Sequence, residues 1–269
     1  MTTLDGDRVR ELLLGSHGQC VDDVVVFDRI DSTNSYLRDQ AAPPQGRFRV
    51  VVADHQTAGR GQRERRWISA PGRSLCLSLS FVFREQPEAL SALTLALGVG
   101  VAECLGDIGA RHVRLKWPND LIADQGKLGG ILVETQYRSA SDIVVIAGVG
   151  INLQVADGID DELHSGIELR ATDLASQVKN LPPREQLAAL VAGACCDCVL
   201  EFAAQGFAPF ALRYGTYDWL AGKDIGVTTA SGRLDGTADG VDKIGALRLV
   251  TRTGVQSIVS GTVTAVPVQ

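Results

Sequence analysis

Apolar positions in this chain recur at two periods. Runs rich in Val, Ile, Leu and Phe at residues 48–53, 75–83, 131–135 and 143–147 predict β-strands, because β-branched and aromatic side chains fit a pleated surface. Helical spacing predicts helices at 32–42, 88–105 and 184–204. The alternation predicts an α/β or α+β domain, a mixed β-sheet flanked by helices. The 88–105 segment is apolar on most faces and carries Gly98 and Gly100. Each costs about 1 kcal/mol in a helix interior, so this helix is expected to be buried with close backbone approach. Residues 154–168 hold Gly158, Gly166 and the acids Asp157, Asp160, Asp161, Glu162 and Glu168 without apolar periodicity, which predicts a mobile loop.

From Gly222 the texture changes to short apolar runs broken by glycine, at 225–229, 233–238, 246–251 and 255–259. Such closely spaced strands predict a small barrel. Pro182-Pro183 reads as a loop or helix start, so the boundary falls near Ala221, giving units at 1–220 and 221–269.

Composition fits this picture: 45% apolar and 22% charged residues in a chain of 269 are enough for a real core. The net charge of −6 supplies no global basic field for nucleic acid, so binding of that kind needs a local patch. The N-terminus lacks a signal-peptide pattern, and no uninterrupted apolar run reaches the roughly 18 residues of a spanning helix. A cytoplasmic protein without membrane partners is expected. The cluster Cys195-Cys196-Asp197-Cys198 raises a metal reading, but Leu187, Leu190, Val191, Ala194 and Cys198 share helical spacing. That places the thiols on a core face. None of His17, His55, His112 and His164 sits in a motif offering a nucleophile and an orienting acid.

Candidate chemistry concentrates in five places. The segment Gly59-Arg60-Gly61-Gln62-Arg63-Glu64-Arg65-Arg66-Trp67 packs four arginines and two glycines ahead of a tryptophan. Glycines let a backbone approach a ligand, arginines fork onto carboxylate or phosphate oxygens, and tryptophan stacks on a planar base. A solvated basic loop or an RNA-binding patch remains the alternative. Lys116-Trp117-Pro118-Asn119-Asp120 follows a short strand and is either a turn or a site presenting oxygens to a ligand or to hydrated Mg²⁺. In Gly126-Lys127-Leu128-Gly129-Gly130, Leu121 and Leu128 stand where a P-loop needs Gly and Ser or Thr. Lys127 is therefore either a point charge at a strand edge or a solvated lysine. Gly148-Val149-Gly150-Ile151-Asn152 lacks the third glycine of a dinucleotide fingerprint, and Asp31-Ser32-Thr33-Asn34 reads first as a helix cap.

Taken in order, these five motifs resemble the biotin protein ligase family, and their order and spacing are far more specific than any one of them. Gly222-Lys223-Asp224-Ile225, the run 236–242, Gly245-Ala246-Leu247 and Ser260-Gly261 also look like that family's small SH3-like domain. The resemblance implies a catalytic sheet related to class II aminoacyl-tRNA synthetases and lipoate ligases. It implies an activity too: ATP activates biotin as biotinyl-5′-AMP, and biotin passes to a lysine of a biotin carboxyl carrier domain of an acyl-CoA carboxylase. By the same resemblance Ser32, Thr33 and Gln56 bind the ureido ring, and Gly59, Arg60, Gly130, Leu132 and Gly148 line the biotin pocket. Trp67 packs near adenine. Asn119, Asp120 and Asn152 help place ATP and Mg²⁺, with Asp120 the candidate metal ligand. Lys127 lies between the biotin carboxylate and the α-phosphate, and Arg60, Arg63 and Arg65 join it in offsetting charge, Arg63 and Arg65 on the ATP side. Only thirty residues precede Asp31, too few for the winged helix-turn-helix that many relatives carry, so no DNA-binding role is expected. A homodimer is left open. A lipoate or other acyl-group ligase and a noncatalytic RNA-binding module are the competing readings. Gln56, the Gly/Arg segment and the C-terminal strands favour biotin, and the acidic balance weighs against RNA.

One departure matters. The family segment reads Gly-Arg-Gly-Arg-x-Gly-Arg-x-Trp, whereas Gln62 and Glu64 stand here for the second arginine and third glycine. The segment loses one cation and gains an anion, so the adenylate is expected to be held less tightly than in relatives with arginine there, unless Arg63 substitutes. Measuring released against transferred adenylate in wild type and Gln62→Arg checks this: the variant should release less, and equal partitioning would refute it.

Overall fold

The computed structural model describes residues 4–138, 142–155 and 169–265. The segment expected to be a mobile loop, 154–168, lies outside the described residues except for Gln154 and Val155.

Seven strands form the main sheet: β1 (Val21–Ile30), β2 (Phe48–Gln56), β5 (Ser74–Phe83), β6 (Arg114–Lys116), β7 (Asp120–Ala123), β8 (Gly126–Tyr137) and β9 (Ile143–Asn152). Their order is β1-β2-β5-β9-β8-β7-β6. Only β1 and β2 run parallel; the other neighbours are antiparallel. Between β2 and β5 stands a small hairpin, β3 (Gly59–Arg60) with β4 (Arg66–Trp67).

Alternation decides what covers each face, since successive side chains of a strand point to opposite sides. In β9, Val145, Ala147, Val149 and Ile151 enter the large core. Helices α1 (Gly6–His17), α3 (Leu93–Asp107), α4 (Arg184–Gln205) and α5 (Ala208–Tyr217) pack there, with α4 against α1, α3 and β5. The intervening Val144 and Ile146 join Leu37 and Val51 in a second cluster under α2 (Thr33–Asp39). The mixed sheet flanked by helices is thus as expected, with strand ends extended by a few residues.

Elements not anticipated have readable causes. Helix α1 is mostly polar and buries only Val9 and Leu13; Asp5 caps it by accepting from the Arg8 backbone N–H at 3.1 Å. Strand β1 carries Asp22, Asp23 and Asp28 around its valines, which masked its apolar run. The 88–105 prediction resolves into a 3₁₀ turn, Leu90–Ala92, and then α3.

The C-terminal strands are β10 (Asp224–Thr229), β11 (Gly232–Val241), β12 (Leu247–Thr251), β13 (Gly254–Ile258) and β14 (Thr262–Ala265). They form an antiparallel sheet in the order β13-β12-β11-β10-β14. A register shift in β11 between Ala238 and Val241 is of the kind that bends a strand. The edge strands β13 and β14 do not pair with one another, so in place of the closed barrel there is an open five-stranded sheet. Ile225, Val227, Leu247, Leu249 and Val263 belong to the same continuous core as the main sheet. Trp117 Nε1 donates to Gly245 O at 3.2 Å across the junction.

The residues 90–107 and helix α4 are each long and apolar enough to cross a membrane by length and mean composition, although neither is an uninterrupted apolar run. Their apolarity has a packing cause: most of each is buried against its neighbours. Cys195, Cys196 and Cys198 are buried in α4 and unpaired. Burial pushes the Cys198 thiol up to about 12. Its sulfur occupies the space that a side chain at Gly100 would fill.

That contact gives a test with a change of sign. Gly100→Ala should destabilise the protein despite a helix-propensity gain of about 1 kcal/mol, whereas in a Cys198→Ala background the same substitution should stabilise it. Urea unfolding of the four proteins decides, and destabilisation in both backgrounds would remove the sulfur as the cause.

Candidate active site

Opposite residues in antiparallel strands share a face, so register alone lays out the floor of a cavity. One row across the sheet reads Val51, Ser78, Gly148, Leu132; the next reads Ala53, Cys76, Gly150, Gly130. On this face of β9 side chains are missing between Ile146 and Asn152. A Cβ at Gly148 would collide with the Asn34 side chain, and one at Gly150 with the Trp67 ring. The bare backbone leaves a cavity of about 480 Å³. Its walls are the start of α2, the β3–β4 hairpin, the 116–120 turn with its cis Trp117–Pro118 bond, Lys127 of β8 and Gly261–Val263 at the start of β14.

One end is neutral and polar. Ser32 caps α2, accepting from Ser35 N–H at 3.4 Å. The Gln56 Oε1 lies 2.7 Å from Thr33 N and 3.0 Å from Thr33 Oγ1. Ser78 Oγ lies 2.6 Å from both Thr33 Oγ1 and Asn34 Oδ1. All of these residues except the half-exposed Ser35 are buried.

The other end is charged. Asp120 is sandwiched between ammonium groups, with Lys127 Nζ 2.7 Å from Oδ1 and Lys116 Nζ 3.0 Å from Oδ2. Burial works to raise the Asp120 pKa, but Lys127 and then Lys116 outweigh it and hold the carboxyl below the ordinary value. This donor set does not fit a protein-held Mg²⁺. Both Asp120 oxygens are engaged by cations, and among the described residues no three His, Cys, Asp or Glu side chains are arranged around a metal position. Asp120, expected as the candidate Mg²⁺ ligand, has both oxygens held by the two ammonium groups. Lys127 also sits inside the sheet rather than at its edge: it pairs with Ile122 and bridges to Ala171.

The arginine segment forms the cover. Gly59 pairs with Trp67 and Arg60 with Arg66, and Gly61 N–H donates to Arg65 O at 2.7 Å. Arg63 turns the tip with a left-handed φ of 57°. The Trp67 ring lies on Gly150. Arg60 is committed to Glu134 through both terminal nitrogens, NH1 to Oε1 at 2.8 Å and NH2 to Oε2 at 2.6 Å, so its charge is already neutralised.

Of the residues singled out from sequence, Ser32, Thr33, Gln56, Arg60, Arg63, Arg65, Trp67, Asn119, Asp120, Lys127, Gly130, Leu132 and Gly148 line this one cavity. Two do not. Gly59 faces the neighbouring groove. Asn152, expected to help place ATP, uses its amide to hold the backbone carbonyls of Lys127 (3.3 Å) and Thr172 (3.1 Å). Asn119 likewise donates to Ile131 O at 3.0 Å while lining the cavity. Sequence reasoning gave no role to Asn34, Lys116, Ser78 and Glu134. Ser78 and Glu134 had a signal: a serine and a carboxylate inside otherwise apolar strands.

A sequence model of the Biotin/lipoate A/B protein ligase family matches residues 26–152. The chain is 34% identical to the bifunctional ligase/repressor BirA of Escherichia coli over 84% of this chain and 68% of that protein. It is 30% identical to the biotin–[acetyl-CoA-carboxylase] ligase of Paracoccus denitrificans, over 86% of this chain and 95% of the relative. The biotin protein ligase of Aquifex aeolicus, solved in complex with biotin and ATP, superposes with a TM-score of 0.72 at 27% identity, covering 90% of this chain and 98% of that one.

The Asp120 sandwich makes a stability prediction. Asp120→Asn leaves two buried ammonium groups without their anion, a loss of about 3–5 kcal/mol. Because the folded carboxyl is lowered, its stabilisation is complete above the usual aspartate range near about 3.9 and disappears as pH falls through the lowered value. Urea unfolding across pH should show the full gap at neutral pH and a closing gap only in acid; a gap independent of pH would overturn the assignment.

Proposed function

The chain belongs to the biotin protein ligases, and we propose that this cavity joins biotin to ATP as biotinyl-5′-AMP and then passes biotin to a lysine of a biotin carboxyl carrier domain. The observation that carries this reading is the division of one cavity into a neutral hydrogen-bonding end at Thr33 and Gln56 and a cationic end at Lys116 and Lys127. A ureido ring with an aliphatic acid tail has the same polarity.

Ser32, Thr33 and Gln56 hold the ureido ring, and Leu132 with the glycines at 130 and 148 takes the apolar part. The biotin carboxylate oxygen attacks the α-phosphorus, the bond to the bridging oxygen breaks, and pyrophosphate leaves. Two anions must meet for this, so Lys127, with Arg63 and Arg65 above, offsets the charge that builds at phosphorus. Arg60 contributes less charge than its sequence position suggests, because Glu134 already holds it. Trp67 and Asn119 contact the nucleotide. Mg²⁺ accompanying the triphosphate would offset part of its negative charge. In the second step a neutral lysine amine of the carrier attacks the acyl carbon, AMP leaves, and the amine gives up a proton. No protein nucleophile is required; positioning supplies much of the rate. The hairpin keeps water from the mixed anhydride. Residues 1–220 form the catalytic unit, 221–269 an SH3-like appendage, and DNA binding is no part of this proposal.

The test is pyrophosphate release with ATP and biotin or lipoate, followed by labelling of a carrier domain. Biotin-dependent release and labelling are expected; a lipoate-only product would instead favour the other branch of the matched family. Lys127→Ala should slow adenylation by about 10²–10³-fold, and an unchanged rate would remove Lys127 from the mechanism.

A further inference from the structure

A count of protons gives the buried polar end a direction. Carboxylate and amide oxygens only accept, and a hydroxyl carries one proton. The Glu134 carboxylate requires the NH₂ side of Asn34, whose Nδ2 lies 2.8 Å from Oε2, so Asn34 Oδ1 faces Ser78. With its Oδ1 2.6 Å from Ser78 Oγ, Asn34 takes the single Ser78 proton. The equally short contact between Ser78 and Thr33 must then use the Thr33 proton, leaving Gln56 Oε1 to accept the Thr33 backbone N–H. The result is a one-way series in which Thr33 donates to Ser78, Ser78 to Asn34 and Asn34 to Glu134. Arg60 closes it from the other side with two bonds. Thr33 and Asn34 are each 3% exposed and Ser78 is 0% exposed.

We propose that Glu134 is a positioning residue that couples the polar end of the cavity to the covering hairpin, through Asn34 and Ser78 on one side and Arg60 on the other. Charge-assisted bonds are the strong members of such a network, and polarisation along a series strengthens each bond when its neighbour forms. A ligand N–H donated to Thr33 Oγ1 therefore tightens the series as far as Arg60. Conversely, a hairpin lifted from Glu134 loosens the groups that receive the ligand. The ligand half of this inference rests on the proposed function; the coupling of Ser78 to the hairpin does not.

The exposed arginines at 63, 65 and 66 make the hairpin a tryptic reporter of its own opening. Cleavage there is followed by mass spectrometry in unliganded wild type, Glu134→Gln, Arg60→Gln, the double variant and Ser78→Ala. Glu134→Gln and Arg60→Gln should each speed cleavage about five- to tenfold, the double variant no more than either. Ser78→Ala, which touches no hairpin residue, should speed it about two- to fivefold. Unfolding midpoints separate hairpin opening from global loss of structure. Wild-type cleavage in Ser78→Ala, or additive effects in the double variant, would overturn the coupling. Repeating the series with biotin should protect wild type strongly and Glu134→Gln weakly, with a raised KM for biotin and a smaller change in kcat. If biotin neither binds nor protects wild type, the functional reading falls while the unliganded series still decides the coupling.

Discussion

A sheet covered on both faces has no room for a ligand unless some side chains are missing, and here they are missing at Gly148 and Gly150 of β9. Everything around the cavity is arranged on that bare stretch. Asn34 descends onto Gly148 and fixes the start of α2. Trp67 descends onto Gly150 and fixes the root of the hairpin, and the flanking strands contribute Ser78 and Leu132 from the same rows. A methyl at Gly148 would push Asn34 away, and one at Gly150 would push Trp67 away. Closely packed interiors transmit such displacements rather than absorbing them.

The second constraint is electrostatic. A chain with a net charge of −6 has to assemble a cationic pocket locally, and it does so by burying Lys116 and Lys127 around one carboxylate. Asp120 stands between the two ammonium groups and offsets their mutual repulsion in a buried place. It leaves a surplus of positive charge for an anionic ligand. Glu134 plays the opposite part, cancelling Arg60 so that this residue serves as an anchor. Two arginines of one short segment thus have different roles: Arg60 is tied to the sheet while Arg65 stays exposed.

Much of this was legible in the residues. Alternation and helical spacing located the central strands β2, β5, β8 and β9 and helices α2 and α4, because buried elements carry long apolar runs. Edge strand β1, interrupted by aspartates, and the mostly polar α1 carry weak patterns and were missed. Thirteen of the singled-out site residues meet in the cavity, since glycine pairs and clustered charges are poor core material and stand out. The rest was hidden by its dependence on register. Nothing local reveals that Ser78 lies across from Gly148, that Glu134 meets an arginine 74 positions away, or that Asn152 turns its amide to the backbone. The C-terminal strands were legible while the open order of their sheet was not: strand content is a local property and closure is not.

The continuous core beneath the two sheets bears on how such a protein can be rearranged by recombination. The wall at Gly261–Val263 comes from the C-terminal segment, and Gly245 of that same segment is held by Trp117 and packs on Ala92, both from the part of the chain that builds the large sheet. Grafting a C-terminal segment from a relative would therefore import one side of the binding cavity together with a mismatched seam, so the seam residues and the graft have to be inherited as a set.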